Sequence, residues 1–433
     1  MSIATVKIGL VYLGLISTLT SCNTYSASVA NSTSSQASIQ TEELTPTPIE
    51  ITLADLPEPY ATDSASNSPN VIPVPDNPIL QVPPGFRVNL FADDLPSVRW
   101  MTVTPEGDVL AVQSKQNKIT LLQDKDSDGV AEVRKTFGDR SNNLNQPLGV
   151  TFAGGSFYVA NTGEVLRFDY QPGQLLKGTG TEITQLTPGG YNQHWTRNIV
   201  TSPDGNKLYV SVGSKSNVEP EELPRASIQV MNLDGSQRDT YAYGLRNPVG
   251  LDFHPVTGEL FTAVNERDLL GDNLVPDYFT SVKQGGFYGW PYAYLAPDLL
   301  DPRRMQGNKS ERPELAAKTI TPDVLFQSHS AALGVQFYDK QQFPEQYQNG
   351  AFVAFRGSWN RDRGTGYKIV FVPFGEDNQP LGYYEDFLTG FLVNPSGPDT
   401  FARPVGLQVL PDGSLLLAED GNNRIYRISY EGK

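Results

Sequence analysis

The stretch Ile199-Val-Thr-Ser-Pro-Asp-Gly-Asn-Lys-Leu-Tyr-Val joins two apolar runs through a Pro-Asp-Gly turn. Proline fixes one backbone angle of such a turn, and glycine tolerates the positive φ that closes a β-hairpin. Similar stretches, of which the fifth along the chain has a longer turn, occupy residues 101–112, 149–160, 250–261, 334–355 and 406–417. Each stretch predicts two short strands, and six such repeats are typical of the blades of a β-propeller.

The repeats predict an all-β fold, a six-bladed β-propeller over residues 81–433, with seven blades as the alternative. One blade alone leaves an apolar face exposed, so the blades are expected to stack in a ring. The segment Phe86-Arg-Val-Asn-Leu-Phe-Ala precedes the first repeat, and Arg424-Ile-Tyr-Arg-Ile-Ser-Tyr follows the last one. We predict that these two segments pair in the last blade and close the ring. Loops from all blades then meet at one end of the channel, where function is expected.

The composition fits this fold and limits the possible functions. Among the 433 residues are 39 Gly, 33 Pro, 20 Tyr and 20 Phe, which favours many short strands joined by turns. The formal net charge of −15 argues against a nucleic-acid partner, which would require a basic patch. It also argues against electrostatic binding to anionic lipids.

The first residues predict export. Residues 1–21 contain one positive charge, a short apolar run and small residues before Cys22, which is typical of a signal peptide. The apolar run is shorter than the about 20 residues of a transmembrane span. Leu19-Thr-Ser-Cys resembles a bacterial lipobox, and the alternative is an ordinary signal peptide with a chance cysteine. Because Cys22 is the only cysteine, no disulfide framework requires it.

We therefore predict an exported lipoprotein, periplasmic or at the cell surface, that is anchored to a bacterial membrane through a lipid on Cys22. Residues 22–80 are rich in Ser, Thr, Pro, Ala and acidic residues and have no sustained apolar period. Such a composition does not offset the entropy lost on ordering, so it predicts a disordered, flexible N-terminal tether.

Polar loops beside the repeats contain the histidine, arginine, amide and acidic residues from which a catalytic or binding site could be built. The loop Gly189-Gly-Tyr-Asn-Gln-His-Trp-Thr-Arg-Asn-Ile contains His194 and leads directly into a repeat. It is followed by Gly244-Leu-Arg-Asn-Pro-Val-Gly-Leu, Asn265-Glu-Arg-Asp and Gly285-Gly-Phe-Tyr-Gly-Trp-Pro. In this order the motifs resemble those of the soluble quinoprotein glucose dehydrogenases. His329-Ser-Ala and Gly357-Ser-Trp-Asn-Arg are similar to the sorbosone dehydrogenase branch, and the resemblance covers about residues 83–430.

The resemblance implies an oxidoreductase that depends on pyrroloquinoline quinone (PQQ). Its substrate would be an aldose or a sugar aldehyde such as glucose or sorbosone, and an external acceptor would receive the electrons. His194 matches the family's general base, which takes the hydroxyl proton while hydride leaves the adjacent carbon for PQQ. A neutral imidazole, with an unperturbed pKa of ~6.5, suits that role at neutral pH. Arg246 matches the arginine beside the reactive quinone carbonyl, where a fixed cation stabilises developing negative charge.

The resemblance also implies contacts to the cofactor, which is a tricarboxylate. Asn247 matches an amide neighbour of the cofactor, and Arg403 matches an arginine that faces one of its carboxylates. Arg361 is the candidate for a second cationic contact. Gln146, or its neighbour Asn145, is the candidate for the family's cofactor-binding glutamine.

In the family, a calcium ion bridges quinone and protein through backbone carbonyls. The matching loop here is Asn265-Glu-Arg-Asp, so Asn265 is a candidate cofactor contact, and Glu266 and Arg267 are candidate calcium ligands. Three features depart from the family pattern. Gln193 precedes the histidine where the glucose enzymes carry an acidic residue. The family's cofactor-binding glutamine has no secure match, and its lysine that faces the cofactor has no clear match.

A separate motif, Asp124-Lys-Asp-Ser-Asp-Gly-Val-Ala-Glu, contains the first half of a calcium loop. Asp124, Asp126 and Asp128 offer oxygen ligands at alternate positions, and Gly129 permits the sharp turn. Lys135 stands where the complete helix-loop-helix version requires a glutamate. Since the motif falls between strands, it indicates either a structural calcium site or a solvated acidic turn, away from the expected active site.

Two other classes of function stay open. A non-catalytic propeller that binds carbohydrate or a partner protein is consistent with the missing lysine and glutamine matches. A calcium-dependent lactonase-like propeller predicts inward Glu, Asn and Asp residues, whereas this sequence offers arginines and one histidine. Of the other histidines, His254 lies inside a turn and is interpreted as structural, while His329 precedes a strand and fits either role.

Overall fold

The computed structural model describes residues 39–187 and 194–432, and nearly all of their regular structure is β-strand. The one α-helix in these two ranges is Pro313–Ala316. Short 3-10 segments cover Leu53–Asp55, Ser114–Gln116, Arg140–Asn142, Pro302–Arg304 and Glu345–Tyr347. Within the described part of the chain, no helix is long and apolar enough to cross a bilayer. The fold is therefore all-β, as predicted.

Six antiparallel sheets of four strands follow one another along the chain, and each sequence repeat supplies the first two strands of one sheet. The third sheet has a fifth, parallel strand, Gly286–Phe287. In chain order, the sheets are Val98–Val103, Val109–Gln113, Lys118–Gln123 and Val133–Gly138; Val150–Ala153, Ser156–Ala160, Glu164–Asp169 and Thr181–Gln185; Ile199–Thr201, Lys207–Val212, Ser227–Asn232 and Asp239–Tyr243; Pro248–Phe253, Leu260–Val264, Tyr278–Ser281 and Val324–Leu325; Ala332–Phe337, Ala351–Phe355, Lys368–Val372 and Glu385–Leu388; and Pro404–Val409, Leu415–Glu419, Arg424–Tyr430 and Phe86–Ala92.

The predicted pairing of the two ends is present, because Phe86–Ala92 runs antiparallel to Arg424–Tyr430 in the sixth sheet. The turn Ser202-Pro-Asp-Gly has the expected conformation. Gly205 adopts a φ of +74°, which glycine accepts without steric cost. The repeated Pro-Asp-Gly signal thus corresponds to a hairpin at the start of a sheet.

The first strand of each sheet contacts the first strand of the next, and the sixth sheet contacts the first in the same way. Glycines permit this close approach. A Cβ atom on Gly250 would lie 2.3 Å from the backbone oxygen of Leu333 in the next sheet. On Gly334 it would lie 2.4 Å from the backbone oxygen of Val405. A side chain at either position would push neighbouring sheets apart, so these glycines keep the loop ends of the first strands together.

Apolar side chains fill the space between neighbouring sheets. In one of these clusters, the ring of Phe86 packs edge-to-face against Phe343 at 4.8 Å and against Phe387 at 5.0 Å. Such pairs contribute about 0.5–1.5 kcal/mol beyond the area that they bury. This packing fixes the frame from which the loops project.

Residues 39–80 differ from the prediction, because they are bound to the sheets instead of forming part of a disordered tether over residues 22–80. Gln40–Glu43 pairs in parallel with Ile79–Val82, and Asn70–Val71 pairs with Asp399–Thr400, which also pairs with Leu392–Asn394. Isolated apolar residues, among them Ile49 and Ile72, pack against the core. Backbone pairing orders this segment although it lacks an apolar period. Residues 1–38, with the predicted signal peptide and Cys22, lie outside the described residues.

One further two-stranded ribbon completes the regular structure of the described residues. Met305–Gln306 pairs with Lys309–Ser310 in the long connection between the third and fourth strands of the fourth sheet. The same connection contains the α-helix.

Candidate functional site

A cavity of about 540 Å³ lies where the first strands of the sheets begin. It is lined by residues from well-separated parts of the chain. Of the predicted site residues, the cavity is lined by His194, Arg246, Asn247, Asn265, Glu266 and Arg403, together with His329. The fold therefore brings most of these residues to one place.

His194 is the buried imidazole of this cavity, with 3% of its surface exposed. Its Nδ1 atom lies 3.1 Å from the backbone oxygen of Ser214 and 3.0 Å from the hydroxyl oxygen of the same residue. That hydroxyl donates its own hydrogen to the carbonyl of Ser216 at 2.6 Å. Both neighbours of Nδ1 therefore act as acceptors, so the proton of the neutral ring is on Nδ1 and the lone pair is on Nε2.

The electrostatic surroundings keep this ring neutral. Burial, followed by the positive charge of Arg246, lowers the pKa of His194 well below its usual value. A neutral imidazole with its lone pair on Nε2 is the form that accepts a proton. The candidate site thus contains a buried imidazole that is neutral at neutral pH.

Arg246 is held by five oxygen atoms of four residues, one of which is the backbone oxygen of Asn265 at 3.4 Å. Its guanidinium donates to the backbone carbonyl of Glu266 at 2.6 Å and to the side-chain oxygen of Asn217 at 2.9 Å. It also donates to the backbone carbonyl of Asn217 at 3.3 Å and to the carboxylate of Asp268 at 2.9 Å. With 2% of its surface exposed, the cation cannot swing away. It is a preorganised positive charge beside the imidazole.

Asp268 and His329 form a second buried pair behind Arg246. The Nδ1 atom of His329 lies 3.7 Å from the carboxylate of Asp268, and its Nε2 atom lies 3.0 Å from the backbone oxygen of Gly271. Burial opposes the charged imidazole, but the contact with Asp268 outweighs it and raises the pKa of His329. His329, which the sequence left open between two roles, therefore lines the cavity and contacts the carboxylate that holds Arg246.

Asn247 follows Arg246 and is almost fully buried at the cavity wall. A Cβ atom on Gly213 would lie 2.3 Å from the side-chain oxygen of Asn247, so the amide packs directly on that glycine. Within the described residues, this oxygen has no hydrogen-bond partner. A buried amide oxygen without a partner is costly unless a ligand satisfies it.

A group of cations forms another part of the wall. Arg99, Arg356 and Arg403 line the cavity, and Asp420 accepts from Arg99 and, at 3.0 Å, from Arg356. Burial lowers the pKa of Arg403 to about 9, so it still carries its charge at neutral pH. Although burial alone would raise it, the neighbouring arginines hold the pKa of Asp420 well below its usual range. The single carboxylate of Asp420 therefore faces three guanidinium groups, so positive charge is in excess at this wall. The exposed Lys115 adds a further cation at the rim.

In the loop at residues 265–268, Asn265 was a candidate cofactor contact, and Glu266 and Arg267 were candidate calcium ligands. The side chains of all three residues instead bind other parts of the protein. The side chain of Glu266 pairs with Arg267 at 2.9 Å, and Arg267 also pairs with Asp301 at 3.1 Å. All three side chains of this network are fully buried. The side chain of Asn265 donates to the backbone carbonyl of Ala332. These side chains hold the loop, while the backbone oxygens of Asn265 and Glu266 accept from Arg246.

Two predicted cofactor contacts do not line the cavity. Gln146 is exposed, and its backbone N–H donates to the side chain of Asn117 at 2.6 Å. Arg361 turns instead to the backbone carbonyl of Asp272. Both residues lie in irregular loops, where sequence order does not determine the direction of a side chain. The structure therefore does not bring these two side chains to the cavity.

The sequence interpretation missed Arg99, Lys115, Arg356 and Asp420. A signal for three of them exists in the repeats. The second strand of a sheet is followed directly by Ser114-Lys115 in the first sheet, Arg356 in the fifth and Asp420 in the sixth. Asn265 occupies the same position in the fourth sheet. Alignment of the residues that follow each second strand would thus have pointed to Lys115, Arg356 and Asp420.

The acidic motif of the first sheet forms the hairpin between its third and fourth strands, and none of its residues lines the cavity. Asp124, Asp126, Asp128 and Glu132 place one carboxylate oxygen each within 4.8 Å of one another. Gly129 adopts a φ of +87°, and its N–H donates to Asp124 at 2.9 Å. The other oxygen of Asp124 is buried and has no partner in the described structure. Glu132, to which the sequence interpretation gave no role, completes the set.

His254 lies at the opposite ends of the strands. Its Nδ1 atom accepts from the backbone N–H groups of Val256 and Thr257, each at 3.2 Å. Its ring packs against Phe337 and Phe374. These contacts stabilise a turn and do not involve the cavity that contains His194.

Two relatives by sequence and one solved structure are similar to most of this chain. An uncharacterized protein of Borreliella burgdorferi is 29% identical over 363 residues, which cover 81% of this chain and 91% of the relative. A pyrroloquinoline quinone-dependent pyranose dehydrogenase of Coprinopsis cinerea is 25% identical over 407 residues, and the match covers 81% of this chain but 54% of that enzyme. A calcium structure of a family AA12 carbohydrate-active enzyme of Trichoderma reesei shares the fold, with a TM-score of 0.70, 21% identity and coverage of 81% of this chain and 96% of that one.

The family assignment rests on nearly the whole folded region. Residues 80–431 match the family model described as TrAA12-like. The match begins at the segment that precedes the first sheet and ends after the last strand. The chain therefore belongs to the TrAA12-like family of PQQ-dependent oxidoreductases, which confirms the resemblance that its motifs predicted.

Proposed function

We propose that this chain is a PQQ-dependent dehydrogenase that oxidises an aldose or a sugar aldehyde, of the glucose or sorbosone type, and passes the electrons to an external acceptor. The six sheets are the blades of a closed six-bladed propeller, and the cavity lies at one end of its channel. The observation that carries the proposal is the convergence of a neutral, buried His194 and a fixed Arg246 on a cavity with a cationic wall.

The residues present fit the cofactor. PQQ is a planar molecule with three carboxylates. Arg99, Arg356 and Arg403 provide more positive charge than Asp420 neutralises, and guanidinium groups bind carboxylates in a bidentate manner. Trp195 and Trp359 line the same cavity and offer flat surfaces for a planar ring. The bound quinone would supply the two-electron acceptor that no side chain provides.

The chain's own residues perform the rest of the chemistry. The Nε2 atom of His194 accepts the proton of the substrate hydroxyl, while Ser214 keeps the ring in the required tautomer. Arg246, held by Asp268, stabilises negative charge that develops next to it. Because these groups are buried, little water competes for them and their electrostatic effect is strong.

Calcium is part of the proposal at two places. At the active site, the candidate ligands lie in the loop at residues 265–268. They are the backbone oxygens of Glu266 and Arg267. In the first sheet, the four carboxylates and Gly129 form a loop of the kind that calcium occupies. A calcium structure is known for a protein with the same fold.

At the acidic loop of the first sheet, we expect calcium to raise the melting temperature of the full chain by about 2 to 5 °C. The reason is that the ion binds the folded loop and neutralises the repulsion among its carboxylates. Differential scanning calorimetry with calcium and with a chelator measures the shift. Asp126→Ala should abolish most of it, and Asp298→Ala, which removes an exposed carboxylate elsewhere, should not. An equal shift in both variants would contradict the loop as the stabilising site.

Titration of the full chain with PQQ in the presence of calcium tests the function. Arg403→Gln is expected to weaken the binding of the quinone about tenfold or more, because it removes one charge-assisted contact to a carboxylate. Arg363→Gln, in an exposed part of a neighbouring loop, is the matched control and should bind like the parent. Dye-linked oxidation of a panel of aldoses should appear only after the quinone is added. Sugar binding without any quinone binding would instead favour a non-catalytic binding propeller.

A further inference from the structure

The segment at residues 60–72, here called the strap, runs along the rim of the cavity. Its backbone N–H groups donate to loops of three successive parts of the fold. Tyr60 donates to the carbonyl of Leu270 at 2.8 Å, and Asn67 donates to that of Trp359 at 2.8 Å. At the far end, Ile72 donates to the carbonyl of Thr400 at 2.9 Å. The strap thus spans the loops of the fourth and fifth sheets and reaches the entrance of the sixth.

Two amide side chains, those of Asn360 and Asn67, fasten the strap. The side chain of Asn360, which is 1% exposed, donates to the carbonyl of Ala65 at 2.5 Å and accepts from the N–H of Leu269 at 2.8 Å. From the strap itself, the amide of Asn67 donates to the carbonyl of Asp362 at 2.6 Å. Because these hydrogen bonds join side chains to backbone carbonyls, they fix the path of the strap although it has few apolar residues.

The strap contributes to the wall of the active site. Ser68 and Pro69 line the same cavity as His194 and Arg246. Ser68 is exposed, and Pro69 fixes the local backbone direction because its φ is restricted by its ring. Trp359, whose carbonyl holds Asn67, is itself a lining residue. The position of this wall therefore depends on the fastening of the strap.

The strap lies outside the part of the chain that the family shares. The family match begins at residue 80, whereas the strap ends at residue 72. The catalytic and cationic residues all belong to the shared region. A segment that lies outside this region and lines the site is suited to select substrates instead of carrying out the reaction.

We propose that the strap is a specificity element that confines the site to substrates of about one sugar ring and excludes longer saccharides. This inference rests on the proposed function. In the proposed function, the cofactor and the substrate share the cavity of about 540 Å³, and Ser68 and Pro69 form part of its wall, so the strap limits the space that is left for the sugar. Ser68 lines this space, and its hydroxyl can both donate and accept, as the hydroxyl groups of a sugar require.

The test uses the full chain loaded with PQQ and calcium. It compares kcat/KM for an aldose and for the disaccharide that ends in the same reducing ring. Ser68→Trp, at an exposed position, should lower kcat/KM for the aldose about tenfold by filling the sugar space. Ser66→Trp is the matched control, because Ser66 is exposed on the strap but does not line the cavity. The dissociation constant of PQQ should stay within about twofold of the parent in both variants.

A second variant weakens the attachment of the strap to the loops beneath it. Asn67→Ala removes its amide contacts to the loops of the fifth and sixth sheets, so it should raise the disaccharide-to-aldose ratio of kcat/KM about tenfold. Iodide quenching of tryptophan fluorescence provides an independent readout, since Trp195 and Trp359 line the cavity and should become more accessible.

The outcomes separate the two proposals. If the parent binds PQQ but oxidises no sugar, the proposed function fails, and the role of the strap in sugar selection fails with it. If the parent oxidises sugars, while Ser68→Trp behaves like Ser66→Trp and Asn67→Ala leaves the ratio and the quenching unchanged, only the strap proposal is overturned. Should Asn67→Ala not fold, the exposed Ser68→Trp and Ser66→Trp pair still decides the question.

Discussion

Replacement of His194 by alanine is expected to lower kcat for sugar oxidation by about a thousandfold, within the range of general-base catalysis. The Nε2 lone pair is the proton acceptor, and nothing else in the described wall combines a neutral nitrogen base with this position. Stopped-flow and steady-state assays with reconstituted enzyme measure the loss. Binding of PQQ should remain within severalfold of the parent, since the carboxylate contacts are made by the arginines.

The matched control is His254→Gln, which replaces a buried histidine at the opposite ends of the strands. This variant should lose melting temperature, because Nδ1 no longer accepts two backbone N–H groups, while kcat stays near that of the parent. Comparable losses of kcat in the two variants would show that a histidine is needed only for folding. The base assignment would then be wrong.

The pH dependence follows from the same environment. The base acts when it is unprotonated, so kcat/KM falls as the pH decreases through its pKa in the free enzyme. Burial and the charge of Arg246 lower the pKa of His194 well below its usual value. The acidic limb of the profile should therefore lie below pH ~6.5, the value for an unperturbed histidine. An acidic limb at or above that pH would contradict a buried base beside a cation.

The fold was predictable because its signals are local and repeated. A turn similar to Pro-Asp-Gly between two apolar runs requires no knowledge of distant residues, and the six repeats each correspond to the start of a sheet. The pairing of Phe86–Ala92 with Arg424–Tyr430 follows from the need to complete the last sheet. Residues 39–80 were not predictable in this way, since they are ordered by single contacts to loops far away in the sequence.

The site was predictable only where a motif fixed the backbone next to a strand. Arg246, Asn247 and Arg403 directly precede first strands, so the sheet determines where they point. Gln146 and Arg361 lie in irregular loops, and the latter is directed by a contact to Asp272 that no pattern in the sequence reveals. Asp420 and Arg356 meet across two sheets. Their pairing depends on tertiary structure, although their common position after a second strand is visible in the repeats.

Replacement of Arg246 by methionine is expected to lower kcat about a hundredfold to a thousandfold, which is typical for the loss of one preorganised charge-stabilising group. The substitution also leaves Asp268 buried without its main cation, at a cost of about 3 to 5 kcal/mol in folding free energy. The acidic limb of the pH profile should move to higher pH, because the cation that lowers the pKa of His194 is gone. Steady-state kinetics and urea unfolding measure the two effects.

The double variant Arg246→Met with Asp268→Asn separates catalysis from stability. It removes the unpaired carboxylate together with the cation, so much of the lost folding free energy should return. If Arg246 acts by its charge near the reacting atoms, kcat stays low although the protein is stable. If kcat recovers along with stability, Arg246 only shapes the site, and its assigned electrostatic role is wrong. Because Asp268 also contacts His329, the single variant Asp268→Asn completes the cycle and shows how much of the effect passes through that histidine.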